Sequence, residues 1–295
     1  MTRQSDRLAN LVGPFSGQAV ALAAQVACVR EVCAPKPGNV NRLHDFADTR
    51  FEDFVLSAMA IGPAMLEADR LGVGQIIQRA VRDTRQLVQS NTNLGIVLLL
   101  APLAKACRSS GDVRHGLRRI LAALTAEDAR HAYAAIRMAQ PGGMGKTAEA
   151  DVAEEPTITL LQAMELAQGR DALAREYVTD FAITFEIGYP ALRAAWQMTD
   201  QPANAIVQCY LTLLANVPDT LIARKRGLET ATEVSRQAAE TLALGGALTP
   251  QGQDALADLD RRLRDEHHTL NPGTTADLTT AALFLLLLRE LPSGT

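Results

Sequence analysis

The sequence predicts an all-α protein: a single-domain multi-helix bundle over residues 1–295, with buried helices at its centre. Three observations carry that expectation. Apolar residues make up 47% of the chain but aromatics only 4%, so Leu, Ala, Val and Ile must build the core, and Ala and Leu favour helix strongly. Apolar positions recur at helical spacing along nearly the whole chain. Two runs, 94–104 and 281–288, are apolar on every face, as a helix is when other helices surround it. Both are far shorter than the roughly 20 apolar residues that span a bilayer.

The elements follow in order. A helix is expected over 18–33, stopped by Pro35-Lys36-Pro37-Gly38, because proline removes a donor and restricts the residue before it. Helices follow over 51–69 and 73–89. Asn91-Thr92-Asn93 offers caps to the apolar run after it. A helix over 113–124 is followed by Thr125-Ala126-Glu127-Asp128, a capping-box start for a helix reaching residue 139. Residues 140–156 hold glycines, prolines and acids with no hydrophobic period, so they predict a long loop. Helical spacing returns over 158–196, with Gly188 and Pro190 marking a kink, and later helices fit 203–215, 228–244, 249–266 and 274–291. Pro250 falls at a first helical position, where its missing N–H costs nothing. No low-complexity linker or repeat divides the chain.

Net charge is −4 and the pI about 5.8, with basic residues spread along the chain, so no nucleic-acid partner is expected. Met1 to Asn10 has no apolar core behind its charges, so no secretory signal is expected. Cys28, Cys33, Cys107 and Cys209 form no Cys-x-x-Cys pair and read as buried thiols in a reducing cytoplasm. The expectation is a cytoplasmic protein without membrane association; a homodimer is compatible with it.

Several segments have the residue types that chemistry needs. Gly142-Gly143-Met144-Gly145-Lys146-Thr147 resembles a P-loop, but Gln140 stands where its first glycine belongs and a helix precedes it instead of a strand. A glycine loop able to wrap an anion, or a plain loop, remains. Pro35-Lys36-Pro37-Gly38-Asn39-Val40-Asn41 sets Lys36 on a stiff turn suited to a phosphate, with a helix-ending surface turn as the plainer alternative. His44, Asp45, Asp48, Glu52 and Asp53 gather after it, and a magnesium nucleotide needs one or two such carboxylates; Glu31 is one turn from the end of its helix and joins the set. Ser90-Asn91-Thr92-Asn93-Leu94-Gly95 opens a helix either as caps or as a nucleotide contact. Asp219 precedes Arg224 and Lys225, a basic pair suited to a triphosphate or an ion-paired turn. Asn271-Pro272-Gly273-Thr274-Thr275-Ala276-Asp277 combines a turn with a capping box.

As an ordered set these segments resemble the triphosphoribosyl-dephospho-coenzyme A synthases. The resemblance rests on Glu31 with Pro35-Lys36-Pro37-Gly38, Asp45, Phe54 to Ala58, Asn91-Thr92-Asn93 with Gly95, Asp219-Thr220, and Pro272-Gly273 with Ala276-Asp277-Leu278. It implies an all-helical transferase that moves the triphosphoribosyl part of ATP to the 2′-hydroxyl of 3′-dephospho-coenzyme A and releases adenine. Asn41, the Ala139-Gln140-Pro141-Gly142-Gly143 stretch and the form of the last motif look like the archaeal and methylotroph branch. Under that resemblance Lys36, Gly38, Asn91, Asn93, Gly142, Gly143, Asp219, Arg224 and Lys225 bind ATP or acceptor. Glu31 and Asp45 are catalytic, with Glu31 as general base if burial raises its pKa. Asp45 and Asp277 hold magnesium through its waters. ATP is thus expected as substrate and Mg2+ as its companion ion, and these distant residues are expected to converge on one cleft. Two alternatives stand beside this: a transferase of the same fold serving tetrahydromethanopterin- or methylofuran-type C1-cofactor synthesis, and a non-catalytic helical scaffold.

Overall fold

A computed structural model describes residues 11–141 and 152–290, and over them helix follows helix. The only strands among the described residues, Val12–Gly13 and Gly111–Asp112, pair antiparallel over two residues each, too little to alter the all-α class. At the centre lie α5 (Leu94–Cys107) and α15 (Gly273–Glu290), packed on each other, with α1 (Gly17–Cys33) and α11 (Pro202–Asn216) around α15. Both runs expected at the core are there: Val97, Leu99 to Ala101, Leu103, Ala104 and Ala281 to Phe284 have no exposed surface. They belong to one hydrophobic cluster drawn from nearly every helix.

The capping box expected at Thr125 forms, and Ser16 adds a cap not expected from the sequence. Ser16 Oγ accepts from Ala19 N at 3.0 Å to start α1. Thr125 and Asp128 exchange hydrogen bonds of 3.1 and 3.0 Å at the head of α7 (Ala126–Ala139). Prolines inside helices leave carbonyls without their usual donor four residues on, and side chains replace it. Pro102 orphans Leu98 O within α5, and the buried Tyr177 hydroxyl donates to it at 2.6 Å. Pro63 orphans Met59 O, which accepts from Gln25 Nε2 at 2.9 Å.

Pro63 also divides the helix expected over 51–69, which is α2 (Phe51–Ala60) and α3 (Gly62–Leu66). After α4 (Val73–Arg85), α5 and α6 (Val113–Ala122), α7 leads to the second division. The span expected over 158–196 is α8 (Leu160–Ala167), α9 (Ala172–Val178), a π-helix (Ile183–Gly188) and α10 (Tyr189–Met198). Its first break falls where Asp171 turns to cap α9, accepting from Leu173 N at 2.8 Å. Gly188 ends the π-helix and Pro190 lies in the first turn of α10, so the expected kink is a change of helix type. A helix not expected from the sequence, α12 (Thr220–Arg226), precedes α13 (Leu228–Ala243) and α14 (Pro250–Leu263), the latter with Pro250 at its start.

Cys28, Cys107 and Cys209 are buried as expected, whereas Cys33 is partly exposed. Among the described residues no single helix is long and apolar enough to cross a membrane; one bent pair, Pro202–Asn216 with Thr220–Arg226, passes only jointly, with a 54° bend.

Glu176 is completely buried on α9 and caps the π-helix, accepting from Ile183 N at 2.9 Å and Thr184 N at 2.7 Å. Burial pushes its carboxyl up to about 7, against the opposing hydrogen bonds from Thr184 and Ile183. Its folded pKa lies above its unfolded one, so the stability it contributes is present below the unfolded pKa and is lost as pH rises through 7. Glu176→Gln removes that dependence. Urea unfolding at pH 5 and pH 8 will show the stability difference between wild type and variant moving in the variant's favour at the higher pH, by up to roughly 3 kcal/mol.

Candidate active site

One cleft of about 830 Å³ opens where α5 and α15 begin, walled by α7, α8, α9 and α12. Its buried end is built at the close of α1. Glu31 is 3% exposed and Lys36, on the Pro35–Pro37 turn, is 1% exposed. The Lys36 ammonium is 3.0 Å from Glu31 Oε1 and donates to the carbonyls of Glu31 at 2.6 Å and Ala34 at 3.3 Å. The ammonium gives Oε1 its counter-charge, and no other group among the described residues approaches this oxygen. Burial raises the Glu31 pKa, opposed by the charge and hydrogen bonding of Lys36. The carboxyl is thus shifted in the direction a general base at neutral pH requires.

Asp277, one turn into α15, presents a partly exposed carboxylate to the same cleft. Desolvation raises its pKa well above the usual carboxylate range, with the charges of Glu31, Asp219 and Asp171 adding to the effect and Arg224 opposing it. Its Oδ2 presses on Gly95 of α5, where an added Cβ would come within 2.0 Å of it. A glycine is required there for the two helix starts to approach. Asn39 lies beside them, 6% exposed, donating its amide to Asn271 Oδ1. Asn93 donates to Thr84 Oγ1 at 2.9 Å, and Asn91 Oδ1 accepts from Leu94 N at 3.2 Å as a cap.

The mouth is basic. Arg224 is held at 2.9 Å by Asp171, and Lys225 donates to His268 O at 3.2 Å with no carboxylate partner among the described residues. Arg170 is exposed and its side chain has no hydrogen bond or ion pair among the described residues. His268 stacks on Phe46 with ring centroids 3.7 Å apart and planes 12° from parallel. Ile136, Ala163, Met164 and Ala167 make the opposite wall apolar.

Of the residues expected to converge, Glu31, Asn91, Asn93, Arg224, Lys225 and Asp277 line this cleft. Four do not. Lys36 does not reach for phosphate, because its ammonium is turned inward to neutralise Glu31. Gly38 has φ +76° and packs under α14, its N–H donating to Asp260 at 2.8 Å; a Cβ would meet Leu263 at 2.9 Å. Asp219 is 2% exposed and fully engaged: it accepts from Leu221 N and Ile222 N at 2.9 and 3.1 Å, and from Thr275 N and Oγ1 at 2.8 Å each. Asp45 is exposed, caps α2 through Phe51 N at 2.8 Å and does not line the cleft. No group of three or more His, Cys, Asp or Glu able to hold a metal occurs among the described residues. Gly142 and Gly143 lie outside the described residues. Arg170, Asn39, Asn271 and the Phe46–His268 pair were not among the expected site residues. Gly169, two residues before Asp171, was the available signal for the turn that carries Arg170.

A basic mouth above a buried carboxylate, in an all-helical frame, defines a site for anionic substrates undergoing proton-coupled chemistry. A crystal structure described as a triphosphoribosyl-dephospho-CoA synthase from Archaeoglobus fulgidus shares the fold, with TM-score 0.62 and 28% identity over 80% of this chain and 99% of that one. A Vibrio cholerae protein named as a 2-(5''-triphosphoribosyl)-3'-dephosphocoenzyme-A synthase is 27% identical over 87% of this chain and 83% of its own. One so named from Pseudomonas savastanoi pv. phaseolicola is 30% identical over 37% of this chain and 34% of its own. The CitG family model, ATP:dephospho-CoA triphosphoribosyl transferase, matches residues 17–295, and the chain belongs to that family. It is a transferase; neither the C1-cofactor alternative nor the scaffold is favoured.

Lys36→Met leaves Glu31 buried without its counter-charge, and removing one partner of a buried pair costs about 3–5 kcal/mol. The raised folded pKa of Glu31 means that this penalty is present at pH 7 and shrinks as the carboxyl takes up a proton at lower pH. Urea unfolding of the variant at pH 7 and pH 5 will show a larger loss at pH 7. Gly95→Ala drives Asp277 from its place, and misplacing a group near the chemistry by about 1 Å costs on the order of a hundredfold in turnover. Steady-state kinetics beside a thermal melt will show activity falling far more than stability.

Proposed function

We propose that this protein transfers the triphosphoribosyl group of ATP to the ribose 2′-hydroxyl of 3′-dephospho-coenzyme A and releases adenine. The observation that carries the reading is the division of one cleft into a basic mouth, with Arg170, Arg224 and Lys225, and a buried carboxyl, Glu31, shifted toward the pKa of a base. Family membership supplies the reaction class.

The reaction is a displacement at carbon. The 2′-hydroxyl oxygen forms a bond to C1′ of ATP as the C1′–N9 bond breaks; the electron pair leaves on adenine, which takes up a proton. The hydroxyl proton goes to Glu31. As positive character develops at C1′, the carboxylates at the buried end stabilise it, and fixed charge in a site of low dielectric does so effectively. The triphosphate is a spectator whose role is binding. Arginine suits it because its planar donors match phosphate oxygens. The starts of α5 and α15 open onto the same space, where helix N-termini favour anions. Mg2+, in this reading, arrives bound to the triphosphate oxygens and neutralises charge there.

Incubation with ATP and dephospho-coenzyme A will yield free adenine and a product retaining all three phosphates, identified by mass. ADP without adenine would falsify displacement at C1′. Arg224→Ala removes a charge-assisted contact, which is worth about 1.5–3 kcal/mol; KM for ATP should rise about ten- to hundredfold with a smaller change in kcat. The acid limb of kcat/KM will have its midpoint above the ordinary glutamate range because Glu31 must be deprotonated to act. Glu31→Gln should remove most of the rate.

A further inference from the structure

The core takes the rings of Tyr177, Phe181, Tyr210 and Phe284, each no more than 1% exposed. Phe46 is left out of that cluster. It lies half-buried on the loop between α1 and α2, its ring nearly parallel to that of His268 on the loop between α14 and α15. The centroids are 3.7 Å apart, and both residues border the cleft. The backbone is shaped to set the pair there. His268 has φ +51°, a left-handed conformation uncommon for residues with a side chain. Its turn is held by the Asp265 carboxylate, which accepts from His267 N and Thr269 N at 2.9 Å each, Thr269 Oγ1 at 2.6 Å and Leu270 N at 3.2 Å. The His268 carbonyl accepts from Lys225 Nζ at 3.2 Å, and its Nε2 from Ala47 N at 3.4 Å. A turn held so thoroughly in a strained conformation at the rim of a cleft points to a function there.

We infer that Phe46 and His268 form a stacking platform for a purine base, either that of the nucleoside triphosphate or that of the acceptor nucleotide. The inference rests on the transferase reading above and assigns the base contact which that reading leaves open. Aromatic planes bind bases through their π-faces, and two rings already stacked lose little freedom when a third joins them. Neither ring supplies the anion contact that a nucleotide also needs; Lys225 does. Because it is bonded to the His268 carbonyl, the flat apolar surface and the cation are held side by side, with Arg224 next to it on α12 and Arg170 on the same rim. An apolar ligand would leave those cations unmatched, and a phosphate alone would leave the rings so. A planar base at one end and phosphate at the other meets both.

The test is equilibrium binding of each substrate beside its base-free counterpart: ATP against ribose 5-triphosphate, and 3′-dephospho-coenzyme A against 4′-phosphopantetheine. Wild-type protein should bind at least one base-bearing ligand about tenfold or more tighter than its counterpart, the size of effect that stacking on an aromatic ring gives. His268→Gly removes a ring at a backbone position that glycine adopts freely, and Phe46→Leu keeps an apolar side chain without the plane. Each should weaken the base-bearing ligand about tenfold and leave the base-free one unchanged, whereas Phe46→Trp should keep the preference. A loss for ATP alone assigns the platform to the donor's base, a loss for dephospho-coenzyme A alone assigns it to the acceptor's, and either supports the inference. Equal weakening of base-bearing and base-free ligands would make the pair a brace between two loops and overturn the platform. Unchanged affinity for every ligand would overturn it too. These ratios decide the platform whether or not the wild type releases adenine, and adenine release decides the transferase reading separately.

Discussion

The carboxylate of Asp219 ties two helix starts together, and the geometry of the cleft depends on it. One oxygen caps α12 through Leu221 and Ile222, and the other takes the backbone N–H and hydroxyl of Thr275 in the first turn of α15. Four donors converge on one side chain that is 2% exposed. Burial raises its pKa while these four bonds pull it down, so the desolvation of the charge is largely answered by hydrogen bonding and helix dipoles. The consequence is positional. With those starts fixed, Arg224 and Lys225 on α12 and Thr274 and Asp277 on α15 face the same space. Thr220 extends the tie, bonding Thr274 at 3.1 Å and Ala172 N at 3.3 Å, which brings α9 and Asp171 into register with Arg224.

Glu31 and Lys36 show the same economy at the other end of the site. A buried carboxylate alone would be neutralised by taking a proton, and a buried ammonium alone by losing one. Together they remain charged, and the rigid Pro35–Pro37 turn fixes the ammonium without much backbone entropy to lose. Because Lys36 also bonds two carbonyls at the end of α1, it doubles as the cap of that helix. The turn continues into Gly38 and Asn39, anchored by Asp260 and Arg264 of α14's end, and Tyr210 of α11 holds Pro37 O at 2.9 Å. A segment only a few residues long is therefore gripped from several helices, as a site that must hold a charge in place requires.

How far the sequence disclosed this follows from what is local. The all-α class, the central position of the 94–104 and 281–288 runs, and the capping box at Thr125 depend on periodicity and on neighbours within one turn, which sequence carries directly. The breaks near Pro63 and Gly169 were signalled by the residues themselves, yet apolar spacing across them suggested continuous helices. Lys36 was the more instructive case. Its motif fixes the turn, but whether the side chain reaches out to phosphate or in to Glu31 depends on how α1 ends against the rest of the core. Asp219 and Asp45 lie off the cleft for a related reason: a carboxylate beside a helix start caps it when tertiary packing brings the backbone donors to its oxygens. Asn91, Asn93, Arg224, Lys225 and Asp277 reached the cleft because they sit at helix ends, and helix ends are where this bundle opens.

The separation of charge within the cleft has a further physical reason. Both proposed substrates are polyanions, and a site uniformly basic enough to hold them would also favour the anionic form of every group in it, depressing the pKa of any carboxyl meant to act as a base. Placing the arginines and Lys225 at the mouth leaves Glu31 with the single charge of Lys36, and burial outweighs that charge to keep the carboxyl above its ordinary range. Fields from exposed cations fade over a Debye length of about 8–10 Å in salt, whereas Glu31 feels Lys36 at 3.0 Å with no solvent between them. The mouth can therefore attract phosphate without governing the proton chemistry below it, and the chain as a whole can remain acidic, at −4, while binding anions locally. Uniform attraction would lower KM without speeding the chemical step; polarity graded along the cleft allows binding at one end and transition-state stabilisation at the other.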